Sequence, residues 1–261
     1  IVPAATEESL AEITRELGVT DPCAISCEPF IQWVVEDQFV AGRPAWEAAG
    51  VQMVSDVRPW EEMKLRMLNG SHSFLAYLGY LSGFQHINEC MQDSAFREAA
   101  YRLMMDEQAP TLTITDVDLT GYAQSLIERF ANPALKHKTW QIAMDGSQKL
   151  PQRMLAGIRL HLARETAWPL LALGVAGWMR YVSGVDDAGT TIDVRDPLND
   201  KIRARVAAST EDQRVSALLS LSEIFGNDLP HNPVFVQAIE TAWQRIAQHG
   251  AHQAVIDTLK N

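Results

Sequence analysis

The sequence lacks the local motifs that identify many classes of enzyme. Its 15 glycines include no G-x-G pair, which excludes a glycine-rich dinucleotide turn and a phosphate-binding loop from these 261 residues. There is also no H-E-x-x-H sequence, no zinc-type cluster of histidine, cysteine and carboxylate residues, and no G-x-S-x-G nucleophile turn. We therefore expect no metal site, and any chemistry has to come from another arrangement.

Cysteine and positive charge are scarce. Cys23, Cys27 and Cys90 form an odd set without a C-x-x-C pair, which indicates reduced thiols of a cytoplasmic protein. The 22 Lys and Arg against 33 Asp and Glu give a net charge of −11, which argues against a nucleic-acid partner but permits a small anionic ligand. No apolar run approaches the ~20 residues of a membrane span, so we expect no membrane partner. The longest apolar run, 168–179, predicts a buried helix.

Helical patterns dominate after residue 56. Pro59 suits a first helical turn, and a long helix is predicted over 60–81. Before residue 56, Thr6 and Gly18 are typical of the two ends of a helix, and residues 23–40 are rich in the β-branched and aromatic residues of strands. We predict a mainly α protein with an α/β lead-in over 1–55 and a multi-helical domain over 56–261. The lead-in is either the edge of a nucleotide-binding domain or an arm packed on the helices. Further helices are predicted over 94–108 and 118–130, from Asn132-Pro133 onward, and over 150–163, 168–182, 212–225, 233–249 and 251–259.

One face of the predicted helix over 60–81 combines unusual side chains. An α-helix turns by about 100° per residue. With Lys64 placed at 0° around the helix axis, the side chains of Glu61, His72 and Asn69 lie at about 60°, 80° and 140°. Gly70 costs about 1 kcal/mol relative to alanine within a helix and would permit a close approach of backbone or ligand. The spacing alone fits a ligand site, but it also fits a solvated lysine and a hydrogen-bonded core histidine.

The K-x4-N-x2-H pattern over 64–72 resembles the signature of the long-chain mannitol dehydrogenase family, which contains zinc-independent dehydrogenases of polyols and sugar acids. Three further segments, 27–39, 145–153 and 193–198, also resemble sequences of this family. The likeness is nearest to the fructuronate reductase or mannonate oxidoreductase branch. It implies a helical substrate domain like the C-terminal domain of 6-phosphogluconate dehydrogenase. In that family an N-terminal Rossmann domain binds the cofactor, and this chain resembles only the part of the family's sequence that lies C-terminal to that domain.

The resemblance implies hydride transfer between a secondary alcohol and NAD, with NADP as the alternative. Lys64 would be the general base, and Asn69 and His72 would hydrogen-bond the developing alkoxide, without a metal. A lysine amine acts as a base near neutral pH only where burial or a nearby cation lowers its pKa. Glu61 would relay the proton to solvent, although a surface carboxylate in the first turn of a helix is an equally good interpretation.

The substrate is expected to be a small sugar acid or polyol. The resemblance places Lys149 near it, and Arg153 is a candidate because guanidinium groups bind carboxylates bidentately. Two solvated cations at the start of a helix are the alternative interpretation. The sequence makes no prediction of the oligomeric state.

Two other functions stay open on the sequence alone. The chain could be a non-catalytic helical interaction or dimerisation module, or the helical domain of a different dehydrogenase family. A pocket shared by Lys64, Asn69, His72 and Lys149 would favour the dehydrogenase assignment.

Overall fold

The computed structural model describes residues 5–260. The chain divides into two compact units, Ile1–Val57 and Arg58–Asn261. The described part of the larger unit is almost entirely helical, and the protein is mainly α, as predicted.

The smaller unit contains one helix, Glu7–Leu17, and two short parallel strands, Val34–Glu36 and Gln52–Val54. Thr6 and Ser9 form a capping box at the start of the helix, and Gly18 ends it in the left-handed conformation with φ of 72°. A 3₁₀ turn spans Trp46–Ala49.

The prediction of strand structure over 23–40 is wrong for most of the segment. Only Val34–Glu36 is extended and paired, and nearby apolar side chains stay outside, with Ile25 54% and Ile31 78% exposed. Strand propensity describes how well a side chain fits a pleated, half-buried surface. Only the short strand Gln52–Val54 is available as a partner in the described structure, so the rest of the segment has nothing to pair with.

The larger unit is a helical assembly. Its α-helices are Arg58–Met63, Ser71–Leu81, Ile87–Gln92, Ser94–Arg102, Leu119–Phe130, Thr139–Ala143, Gly146–Leu150, Ala156–Arg164, Pro169–Val182, Asn199–Ala207, Arg214–Leu219, Ser222–Phe225 and Pro233–Leu259. Short 3₁₀ turns span Ala109–Thr111, Glu211–Gln213 and Leu229–His231. No helix within residues 5–260 is both long enough and apolar enough to cross a membrane.

The helix Pro169–Val182 forms the centre of the core. All its residues except Pro169 and Arg180 are buried, and it packs against Ser71–Leu81 and Pro233–Leu259. The prediction of a buried helix here is therefore confirmed. The backbone N–H groups in the first turn of a helix have no partner within that helix. Here the Glu107 side chain, from another helical segment, accepts hydrogen bonds from the N–H groups of Leu170 and Leu171, each at 2.7 Å. Burial raises the pKa of Glu107 to about 7.

Three helical segments are π-helical, with hydrogen bonds that span five residues. We name Lys64–Gly70 the first π turn, Leu103–Gln108 the second and Pro151–Leu155 the third. The first π turn lies inside one continuous helical stretch that runs from Arg58 to Leu81. The predicted long helix over 60–81 is therefore confirmed in extent, but α-helical spacing does not hold across the first π turn.

The three cysteines are free thiols, as predicted. Cys23 and Cys27 are exposed, and Cys90 is buried.

Candidate functional site

Glu61 and Lys64 lie at the surface of the larger unit. Glu61 is in the first turn of Arg58–Met63, where the helix dipole favours a carboxylate, and Lys64 begins the first π turn. Both side chains are exposed, and neither has a hydrogen bond or ion pair with any residue in 5–260. The described residues therefore leave the Lys64 amine available to a ligand, but they do not bury it.

The first π turn brings Asn69 toward Lys64. Residues five apart are about 140° apart around an α-helix, whereas an i→i+5 hydrogen-bond pattern brings them onto the same side of the helix. Lys64 and Asn69 are five apart, so the π turn moves Asn69 toward the Lys64 face, and the predicted angle between them is too large. The half-buried Asn69 amide has no hydrogen-bond partner within the described part of the chain.

His72 lies one turn further along the same stretch of helix. Its half-buried ring stacks on Phe130 with centroids 4.6 Å apart and lies edge-on to His137 at 5.5 Å. The ring atom Nε2 is sealed from solvent and has no hydrogen-bond partner among residues 5–260. Burial lowers the pKa of His72 to about 3, and the charges of Arg153 and Lys149 add to this effect. The imidazole is therefore neutral at neutral pH and can donate one N–H group.

Arg153 is directed at the helix that carries the site. Its Nη1 donates to the hydroxyl of Ser73 at 3.0 Å and to the backbone carbonyl of Asn69 at 3.4 Å. Its Nε is sealed and has no partner in the described structure. Burial lowers the pKa of this guanidinium.

Lys149 is half-buried beside the end of a short helix. Its ammonium donates to the carbonyls of Ile142 at 3.1 Å and Met144 at 2.5 Å, at the end of Thr139–Ala143. Burial lowers its pKa, and the neighbouring charge of Arg153 acts in the same direction. An ammonium group has three N–H donors, so one remains for a ligand.

The three π turns meet at Gly70. The side-chain amide of Gln108, at the end of the second π turn, donates to the carbonyl of Arg153 in the third at 2.9 Å. A Cβ on Gly70 would lie 2.9 Å from both of these groups. The expectation that Gly70 permits a close approach is confirmed, and the approaching groups are the Arg153 backbone carbonyl and the Gln108 side-chain amide.

Four of the six predicted site residues, Asn69, His72, Lys149 and Arg153, interact through hydrogen bonds or electrostatic effects. Asn69 and Arg153 are hydrogen-bonded, and the charges of Arg153 and Lys149 act on His72. Glu61 and Lys64 have no hydrogen bond or ion pair with this group in the described structure. Two cavities of about 630 and 430 Å³ lie elsewhere, and none of the six residues lines either of them.

The residues that support the site were not predicted. Ser73 is 80 residues from its partner Arg153, and Gln108 is 45 residues from it. No sequence pattern connects residues so far apart. Within residues 5–260 no group of three or more histidine, cysteine or carboxylate side chains is placed to hold a metal ion.

Comparisons with known proteins agree along the whole chain. Residues 56–247 match the family model of the mannitol dehydrogenase C-terminal domain, and residues 1–48 match that of the mannitol dehydrogenase Rossmann domain. The expectation that the chain resembles only sequence C-terminal to the Rossmann domain is therefore wrong for residues 1–48. The uncharacterized oxidoreductase YeiQ of Escherichia coli strain K12 is 80% identical over 260 residues, which is 100% of this chain and 53% of that protein. The D-mannonate oxidoreductase of the same strain is 59% identical over 256 residues, 98% of this chain and 53% of that protein.

A solved structure is also similar throughout. It is the Pseudomonas fluorescens mannitol 2-dehydrogenase in a ternary complex with NAD and D-mannitol, with a TM-score of 0.92 and 37% sequence identity. The similarity covers 100% of this chain and 53% of that one. The chain thus spans about half the length of the relatives that it matches.

Proposed function

The chain belongs to the mannitol dehydrogenase family, and on this premise we propose that it contains the substrate-binding and catalytic residues of an NAD-dependent oxidoreductase. In this proposal residues 1–55 form the end of a Rossmann domain and residues 56–261 form the helical substrate domain. The substrate is a secondary alcohol of a sugar acid or polyol. The observation that carries the proposal is that Lys64, Asn69 and His72, on one stretch of helix, each present a polar group without a partner in the described structure.

These residues suit the proton transfer that accompanies oxidation of an alcohol. When bound, the nicotinamide cofactor supplies a hydride acceptor. The similar ternary complex holds NAD, which favours NAD over NADP here. The proposal includes no metal, because an amine and two neutral hydrogen-bond donors can perform the polarising and proton-accepting roles.

Each side chain has a separate role in the proposal. When substrate and cofactor cover the Lys64 amine, that burial lowers its pKa, and the amine accepts the proton of the substrate hydroxyl while that oxygen becomes a carbonyl oxygen. The Asn69 amide donates a hydrogen bond to the oxygen as negative charge develops on it. The neutral His72 imidazole does the same once substrate binding gives the oxygen access to the ring. Glu61, three residues before Lys64, passes the proton to solvent.

The ammonium of Lys149 favours a substrate with a carboxylate. It has a free donor in a half-buried position, and its charge acts on His72. A carboxylate placed there would meet positive potential at low solvent screening. The higher identity to D-mannonate oxidoreductase, 59%, than to mannitol 2-dehydrogenase, 37%, supports a sugar acid.

The test is the variant Lys64→Ala in the full-length protein. With NAD and a panel of aldonates and polyols, we expect kcat to fall by about 10²–10⁴-fold. Stability should be nearly unchanged, because Lys64 is exposed and contacts no described polar group. Lys138→Ala is the matched control, since the Lys138 side chain is also exposed and its ammonium has no partner within residues 5–260.

Turnover by the wild-type enzyme should also persist in EDTA, which removes metal ions, because the proposed mechanism uses none. A Lys64→Ala enzyme with nearly normal kcat would disprove the role of the lysine. Absence of turnover by the wild-type protein on every substrate would instead favour the non-catalytic helical module.

A further inference from the structure

Arg153 forms hydrogen bonds through both its guanidinium and its backbone carbonyl. Its guanidinium donates to the Ser73 hydroxyl at 3.0 Å and to the Asn69 carbonyl at 3.4 Å. Its own carbonyl accepts from the Gln108 side chain at 2.9 Å. Arg153 therefore links the helical stretch that carries the proposed catalytic residues to two other helices of the domain.

Gly70 makes this link possible. The Arg153 carbonyl and the Gln108 amide occupy the space that a side chain at position 70 would need. The contact is therefore made by backbone directly after Asn69, where little movement is possible in a close-packed interior. The two hydrogen bonds of the guanidinium then hold the next turn, from Asn69 to Ser73.

Two of the three guanidinium nitrogens are unavailable for a fork of two parallel N–H groups. The Nε atom is sealed, and Nη1 already serves two acceptors on the neighbouring helix, which leaves only Nη2. An arginine that binds a substrate carboxylate uses two parallel N–H groups directed at an open site. The two hydrogen bonds of the Arg153 side chain lead to the neighbouring helix within the protein.

We propose that Arg153 is a positioning residue, which holds the Asn69–Ser73 turn so that the Asn69 amide and the His72 ring keep their orientation toward the substrate oxygen. The inference rests on the proposed function of Lys64, Asn69 and His72. It replaces the substrate-binding role that the sequence suggested for Arg153.

Kinetics of Arg153→Met in the full-length enzyme test the inference. Misplacing a reacting group by about 1 Å costs about 10²-fold in rate, so we expect kcat to fall by about 10- to 100-fold with every substrate, charged or neutral. KM should change by less than about threefold, because the arginine contributes no substrate contact. Ser73→Ala should lower kcat in the same direction by a smaller factor, and Arg153→Lys should recover part of the loss.

Arg159→Met is the matched control. Arg159 is on the same continuous helical stretch but pairs with Asp228 at 2.6 Å on another side. Its kcat should stay at the wild-type value. A carboxylate-binding role for Arg153 predicts the opposite pattern, a raised KM for aldonates alone with kcat retained, and that result would overturn the inference.

A second measurement does not need activity. With ¹⁵N-asparagine labelling of the full-length protein, the side-chain amide resonance of Asn69 should shift in Arg153→Met and in Ser73→Ala, but not in Arg159→Met. An unchanged Asn69 resonance in both variants would refute the positioning role. Because this readout needs no turnover, it separates failure of the inference from failure of the proposed function.

Discussion

The Cβ that an alanine would add at position 70 lies 2.9 Å from the carbonyl oxygen of Arg153. That distance is shorter than atomic contacts allow, and the oxygen belongs to backbone that cannot rotate away. We expect Gly70→Ala to be destabilising, because overpacking costs about 1–3 kcal/mol. This cost exceeds the gain of about 1 kcal/mol in helix propensity. Urea unfolding measures the effect, and kcat should fall with it.

Gly174→Ala is the control for this prediction. Gly174 is also buried within a helix, but the Cβ of an alanine there would meet side chains only, the end of Met154 at 3.0 Å and the Phe74 ring at 3.2 Å. Side chains can move by a few tenths of an ångström more easily than backbone, so we expect a smaller loss of stability than in Gly70→Ala. Equal effects of the two substitutions would show that the contact of Gly70 with Arg153 is not special.

His72 should make stability depend on pH. Burial lowers its pKa from the ordinary 6.5 to about 3, so between these values the unfolded chain binds more protons than the folded protein. The free energy of unfolding therefore rises with pH through this window. The stability that is linked to the neutral His72 ring is fully present above about pH 6.5 and is lost as the pH falls toward 3. In His72→Phe, which keeps an aromatic ring against Phe130, this slope should decrease by up to about 1.4 kcal/mol per pH unit.

Urea unfolding from pH 4 to 8 checks this expectation. Above pH 7 the wild-type and His72→Phe curves should run parallel, because the imidazole is neutral in both folded and unfolded chains there. Identical slopes between pH 4 and 6 would mean that His72 is protonated in the folded protein.

Lys149 should affect both stability and substrate binding. Its ammonium satisfies the carbonyls of Ile142 and Met144, so Lys149→Met leaves both acceptors without this donor and should cost about 1–3 kcal/mol. Loss of its third N–H donor should raise KM for an aldonate by about 10- to 100-fold, as expected for a hydrogen bond to a charged group. Unfolding in urea and steady-state kinetics measure the two effects separately.

Lys138→Met serves as the comparison, because the exposed ammonium of Lys138 has no partner in residues 5–260. It should change stability by less than about 0.5 kcal/mol. A Lys149→Met enzyme that is destabilised but keeps its KM would assign Lys149 a structural role only.

Most helix positions could be predicted because their signals are local. Thr6 and Asp118 cap the helices that begin directly after them, and Pro169 begins the central helix. Gly250, with φ of 77°, interrupts the last helix between the two predicted segments. The sequence did not predict the helix Asn199–Ala207, and the helix predicted to begin at Asn132 is wrong, because the helix there begins at Thr139. Each of these features depends on a few adjacent residues.

The sequence by itself determined the helical class, the buried central helix and the pattern of Lys64, Asn69 and His72, because apolar periodicity, caps and motif spacing are properties of neighbouring residues. Only the tertiary structure decided that Lys64–Gly70 is a π turn and that Arg153 faces Ser73 and Asn69. These features arise where three helices pack at Gly70, and such contacts between distant segments have no counterpart in local sequence.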